Sequence, residues 1–236
     1  MKMNQSMKTS LSLAAAMAVS AISANAALIA DYATDFTLAA NPTPTGWSYL
    51  FAGTVNGVVT PTSADPIIGS TLDRSNLSPF EFTPDGYWRH EDVGVGSQTV
   101  PWNYIQLNAT EFHPGSGNTG PVINYSTIAA YTGVTLDYEF TNRDNRGTGV
   151  ELVVFVNDVV THISTTADGS TVSATLSLPD LPAGEDVTIW FNNLGDNGYA
   201  GSDIGNITLN GTAVPEPSTT ALLGLGGIAL ILRRRK

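Results

Sequence analysis

The densest run of reactive side chains is Trp88-Arg89-His90-Glu91-Asp92, where an imidazole beside carboxylates has the parts for proton transfer or for metal binding. Neighbours along a strand point to opposite faces, so only alternate members of the run converge, and the plainer reading is a solvated loop or strand edge. His113, in Phe112-His113-Pro114-Gly115, reads either as a hydrogen-bonded residue that fixes the turn before Pro114 or as a ligand. His162 follows Val159-Val160-Thr161 and reads as a strand residue on the face of Val160. The three histidines have no HExxH-type spacing, which argues against a zinc hydrolase. No Gly-x-Ser-x-Gly elbow occurs, and Gly115-Ser116-Gly117 has no partner that the sequence identifies. Paired carboxylates for glycoside hydrolysis must lie roughly 5–10 Å apart in space, and the many acids here offer too many pairs to choose among. The chain carries no enzyme signature.

Two stretches suit a hard cation better. Asn142-Arg143-Asp144-Asn145 and Asp196-Asn197-Gly198-Tyr199-Ala200-Gly201-Ser202-Asp203 are rich in oxygen donors, and glycines in the second let carbonyls turn inward, as six- to eight-coordinate calcium requires. Asp196, Asn197 and Asp203 are the expected calcium ligands, although neither stretch has EF-hand spacing and the same residues fill turns that hold no metal. For carbohydrate, Trp190, Tyr199, Trp88 and Tyr87 offer faces on which sugar C–H surfaces stack. With 4 Trp, 8 Tyr and 8 Phe in the chain, a β-domain needs most of its aromatics for its core.

The elements that must position these groups are strands. Outside two apolar segments at the chain ends no window keeps a 3.6-residue apolar period, whereas period-2 alternation recurs. Val134, Leu136, Tyr138 and Phe140 alternate with Thr135, Asp137 and Glu139, the pattern of a strand with one dry and one wet face. Val150, Leu152, Val154 and Val156 repeat it, but Val153 and Phe155 make the second face apolar too, so this strand is expected to be covered on both sides. Thr171–Leu178, Val187–Phe191 and Ile204–Leu209 complete the second half, with Asn157-Asp158, Asp168-Gly169 and Asn210-Gly211 as tight turns. In the first half Trp47, Tyr49 and Phe51 alternate, Asn56-Gly57 signals a hairpin, residues 61–101 read as loop-rich, and Gly115, Gly117 and Gly120 punctuate loops. The spacing predicts an all-β fold, a single β-sandwich.

Residues 1–26 read as a secretory signal: Lys2 and Lys8, then an apolar stretch from Leu11 to Ile22 too short to span, then Ala24-Asn25-Ala26 as a small-x-small cleavage step. At the other end Pro215, Glu216 and Pro217 precede an apolar run, residues 221–232, and the cluster Arg233, Arg234, Arg235 and Lys236. Twelve apolar residues fall short of the roughly 20 of a full span, and basic residues directly behind them hold that end in the cytoplasm, placing everything before Pro215 outside. Between the ends, residues 27–214 form the ectodomain. Two of the 10 basic residues lie in the leader and four in the tail, leaving Arg74, Arg89, Arg143 and Arg146 against every acid except Glu216 of the 21, a formal charge of −16. That surface repels nucleic acid. With no cysteine, no disulfide staples the domain.

The tail, Pro215-Glu216-Pro217 followed by a short Gly-containing apolar helix and an Arg-rich end, resembles the PEP-CTERM sorting signal of Gram-negative bacteria. The resemblance implies recognition by an exosortase-type processing enzyme, transient residence in the inner membrane through residues 221–232, removal of the tail, and delivery to the cell envelope, cell surface or extracellular matrix. Gly46-Trp47-Ser48-Tyr49, Trp102-Asn103-Tyr104-Ile105, Phe112-His113-Pro114-Gly115, Gly133-Val134 leading to Tyr138-Glu139-Phe140, and Asp196-Asn197-Gly198-Tyr199 look like the exported jelly-roll domains of such proteins, over most of residues 31–210. That likeness implies a jelly-roll-like sandwich and supplies no catalytic motif. Three readings stay open: a non-catalytic surface or matrix protein that binds carbohydrate, a hydrolase of extracellular polysaccharide, and a structural module that self-associates.

Overall fold

The computed structural model describes residues 26–52, 67–68, 71–72, 74, 77–82, 86–91, 104–114, 120–143, 149–194 and 201–215. Alternating residues become strands β1 (Ala27–Asp31), β2 (Trp47–Ala52), β3 (Ile67–Ile68), β4 (Thr71–Leu72), β5 (Leu77–Pro79), β6 (Glu81–Phe82), β7 (Trp88–Glu91), β8 (Tyr104–Leu107) and β9 (Glu111–Pro114). They continue with β10 (Gly120–Ser126), β11 (Tyr131–Asn142), β12 (Val150–Val156), β13 (Val159–Thr166), β14 (Thr171–Ser177), β15 (Asp186–Asn193) and β16 (Ser202–Ala213). One helical turn, α1 (Tyr32–Asp35), follows β1; Asp31 caps it by accepting from the amides of Ala33 and Thr34.

The strands form two antiparallel sheets. One runs β14-β11-β16-β9-β8-β7-β6 with β1 also on β16, and the other runs β3-β4-β13-β12-β15-β10-β2-β5. The last eight strands interleave, so that β9, β11, β14 and β16 lie in one sheet and β10, β12, β13 and β15 in the other. The main core fills the space between the sheets. Val134, Leu136, Tyr138 and Phe140 of β11, and Ile207 and Leu209 of β16, meet Trp47, Tyr49 and Phe51 of β2 and Val187, Ile189 and Phe191 of β15. A second cluster lies on the outer face of the second sheet, where Val122, Val153, Phe155 and Trp190 pack with Ala52 and Leu72. That cluster is why β12 is apolar on both faces, as its sequence predicts.

Several local expectations change. Asn157 and Asp158 adopt positive φ (50° and 64°) and turn β12 into β13, as expected of residues that tolerate that region. Asn210-Gly211, read as a turn, lies inside β16, because pairing with β1 on one side and β11 on the other overrides the local turn signal. At Gly211 a Cβ would approach Ile29 Cδ1 to 2.8 Å, a contact that the end of that side chain relieves by turning. Gly120 belongs to β10 and not to a loop, and the described residues of 61–101 include five short strands. His162 does not share a face with Val160, since a register shift sets Val160 opposite Phe155 but His162 opposite Val154. The shift turns the imidazole into the space between the sheets, where His162 Nε2 lies 3.1 Å from Tyr138 Oη. The Asn56-Gly57 hairpin lies outside the described residues.

Candidate functional site

Antiparallel pairing of β11 with β16 sets Thr141 beside Asp203 and Asn142 beside Ser202, so the described ends of the two oxygen-rich stretches meet. The Arg143 amide donates to the Gly201 carbonyl at 3.0 Å, joining them directly. On the other side of β16, β9 sets Glu111 beside Asp203. Three strands thus deliver three charged side chains to one edge. Arg143 Nη1 lies 3.1 Å from Glu111 Oε1, and Arg143 Nε 3.1 Å from Asp203 Oδ1. Tyr87, just before β7, donates from Oη to Glu111 Oε2 at 3.0 Å. The side chains keep 47% (Arg143), 42% (Asp203) and 27% (Glu111) of their exposure, so the group meets solvent.

Buried polar groups hold this edge from below. Asn142 is fully buried, donates from Nδ2 to Asp168 Oδ1 at 3.0 Å, and takes the Ser170 carbonyl on its own amide at 3.0 Å, which ties β11 to the β13–β14 turn. Ser202 is also fully buried. His113 is a buried residue of β9 and not a loop residue, and a Cβ on Gly201 would come 3.9 Å from its ring.

The other sequence candidates separate. Trp88 is buried in the main core with Nε1 donating to the Thr37 carbonyl at 3.1 Å, and Trp190 is buried in the outer cluster, so neither offers a face to a sugar. The side chains of Arg89, His90 and Glu91, together with Asp92, Asp196, Asn197 and Tyr199, lie outside what is described. Asp203, the one expected calcium ligand that is described, already faces a guanidinium. Among the described residues no group of three or more His, Cys, Asp or Glu side chains could hold a metal ion. Of the sorting-signal residues Pro215 is described, while Glu216, Pro217, Arg233, Arg234 and Arg235 are not. The sequence missed Glu111 and singled out Tyr87 only as an aromatic face for a sugar; the relation of both to Arg143 depends on strand pairing and has no local signal.

An exposed guanidinium between two carboxylates, with a phenol beside them, is an array of directional donors and acceptors. Strong displacement of protonation occurs instead in the core, where burial pushes Tyr49 and Tyr125 up to about 12 and Tyr32 well above its usual value.

Residues 213–236 match the PEP-CTERM protein-sorting motif. The motif starts on the last residue of β16. No curated protein matches the chain. Among solved structures, the CBM22-1 xylan-binding domain of Paenibacillus barcinonensis Xyn10C is similar at 8% identity, over 82% of this chain and 99% of that one, with a TM-score of 0.37. A cleaved adhesin domain of Lys-gingipain from Porphyromonas gingivalis is similar at 12% identity, over 79% and 99%, with a TM-score of 0.37. The CBM51-2 and INT domains of Clostridium perfringens ZmpB are similar at 9% identity with a TM-score of 0.32, over 46% of this chain and only 23% of theirs.

Proposed function

We propose that this is an exported, non-catalytic cell-surface or extracellular-matrix protein of a Gram-negative bacterium, sorted by an exosortase-type enzyme, whose sandwich meets extracellular polysaccharide at the Tyr87, Glu111, Arg143 and Asp203 edge. In this reading residues 1–26 are removed on export, 27–214 are a jelly-roll-like domain, and 215–236 pass through the inner membrane at 221–232 before removal. The interleaved order of β9 to β16 supports the jelly-roll assignment, since two nested Greek keys deal successive strands between two sheets in this way.

One observation carries the reading. The sorting motif leaves β16 at Ala213, where the Val214 amide donates to the Ala130 carbonyl, and the Arg143 edge is at the other end of the same strand. Twelve residues at ~3.3 Å put roughly 40 Å between the tail and the edge, so while the tail is in the membrane the domain presents that edge away from it. Hydroxyl-rich polymers are recognised by fixed donors and acceptors of this type, and the acidic surface disfavours anionic polymers, which points to a neutral glycan. Calcium enters the proposal through Asp196, Asn197 and Asp203, in competition with Arg143 for Asp203.

The test is a glycan array probed with the exported protein and with Arg143→Gln, with and without calcium. Binding to a neutral glycan that falls in the variant at unchanged melting temperature supports the reading. No binding, or binding indifferent to Arg143, contradicts it, and release of reducing sugar would establish the hydrolase instead.

A further inference from the structure

Among the described residues the first sheet ends at β14, which pairs with β11 on one side and with no strand on the other. Natural edge strands are blunted by lysine, proline, inward charge or a bulge, because free amides and carbonyls accept any other strand. Here none of these devices is present. The strand reads Thr171-Val172-Ser173-Ala174-Thr175-Leu176-Ser177, without charge or proline, and its pairing with β11 runs unbroken from Thr171↔Thr141 to Ser177↔Thr135.

The order of residues selects the partner. A two-fold axis through Ala174 sets Thr171 opposite Ser177 of a second copy, Val172 opposite Leu176, Ser173 opposite Thr175, and Ala174 opposite itself. Each hydroxyl meets a hydroxyl and each aliphatic meets an aliphatic. The exposed row, Thr171, Ser173, Thr175 and Ser177, continues as one polar face, and the half-buried row, Val172, Ala174 and Leu176, which packs on the main core, continues as one apolar face. Charge points the same way. Copies of formal charge −16 repel over most of their surface, whereas this strand carries no charge; one strand inward, Asp137 beside Thr175 accepts from Thr175 and from Asn210, and Glu139 beside Ser173 turns its carboxyl over Gly205 of β16, away from β14. We propose that two copies of this chain associate by antiparallel β14–β14 pairing about Ala174, making one continuous sheet across the dimer. The proposal is independent of the polysaccharide reading.

A seven-residue strand pair is small beside the ~1,200–2,000 Å² of a stable complex, so association depends on concentration, and salt strengthens it by screening the acidic surfaces. Sedimentation of the mature exported protein over a concentration series, at low and high salt, reads both effects. In Ser173→Lys with Thr175→Lys the axis brings four cations together, and the dissociation constant should rise about tenfold or more. In Ser173→Lys with Thr175→Glu the axis sets cation opposite anion, and dimerisation should return. The chain has no cysteine, so single substitutions report register. Ala174→Cys should form a disulfide-linked dimer under mild oxidation, whereas Thr171→Cys, about 20 Å from its counterpart across the axis, should not. A concentration-independent monomer, a dimer indifferent to both charged variants, or equal cross-linking at 171 and 174 overturns the proposal. The cysteine pair decides the matter even where a lysine variant fails to fold.

Discussion

Arg143 Nε lies 3.1 Å from Asp203 Oδ1, and the same guanidinium reaches Glu111, so one cation serves two carboxylates from two different strands. In the proposed function a calcium ion at Asp203 would have to displace that guanidinium. Arg143→Gln should therefore make the melting temperature respond more strongly to millimolar calcium than it does in the wild type, since binding to the folded state alone stabilises by RT ln(1 + [L]/Kd). Thermal melts in chelator and in calcium measure the difference. Identical responses in the two proteins would remove calcium from this edge.

Leu136 and Asp137 are adjacent on β11 and face opposite ways. Leu136 is fully buried in the main core, so Leu136→Asp should cost several kcal/mol of a typical ~5–15 kcal/mol stability. Asp137 accepts from Thr175 and, at 2.9 Å, from Asn210 Nδ2, and is only half-buried. Asp137→Leu should thus cost about 1–2 kcal/mol, more than a simple wet-face position, because two donors lose a charged acceptor. Denaturant titration of both variants gives the two numbers, and equal costs would contradict the assignment of faces.

Three core tyrosines set an alkaline limit. Burial disfavours tyrosinate most at Tyr32, Tyr49 and Tyr125, with neighbouring groups adding to the effect: Tyr49 beside Tyr32, Asp35 beside Tyr49, and Tyr131 and Asp35 near Tyr125. The folded pKa is raised, so the contribution of these rings is fully present below about pH 10, where unfolded tyrosine ionises, and is lost as pH rises towards about 12. Melting temperature followed against pH should fall through that window, with tyrosinate absorbance from the buried rings rising together with unfolding. Early ionisation without loss of structure would show that the three rings are accessible.

Gly120 lies where β10 passes β15, and a Cβ there would sit 1.8 Å from the Phe191 carbonyl oxygen and 3.2 Å from Trp190 Nε1. Backbone cannot retreat as a flexible side chain does. Gly120→Ala should cost about 3 kcal/mol and lower the melting temperature by roughly 6–12 °C. A melt within a degree or two of wild type would contradict the close approach.

Alternation made β11 and both faces of β12 legible in the sequence, because a strand's burial pattern repeats every two residues wherever the strand goes. Asn157-Asp158 was legible for a local reason, the tolerance of those side chains for positive φ. Asn210-Gly211 carried the same local signal and was misread, since the pairing of β16 with β1 and β11 is non-local. Non-local pairing also hid the candidate site: Arg143, Glu111 and Tyr87 are far apart in the chain and meet only through β9, β11 and β16. The tryptophans were ambiguous from composition alone, and packing assigned Trp88 and Trp190 to the interior.

The sorting motif at residues 213–236, continuous with β16, is the feature on which the account rests. Intact-mass analysis of the protein as exported by its native host tests it most directly. The exported protein should have a mass lacking both residues 1–26 and the Arg233–Lys236 end, and a mature protein that still carries Arg233 to Lys236 would rule out removal of the tail.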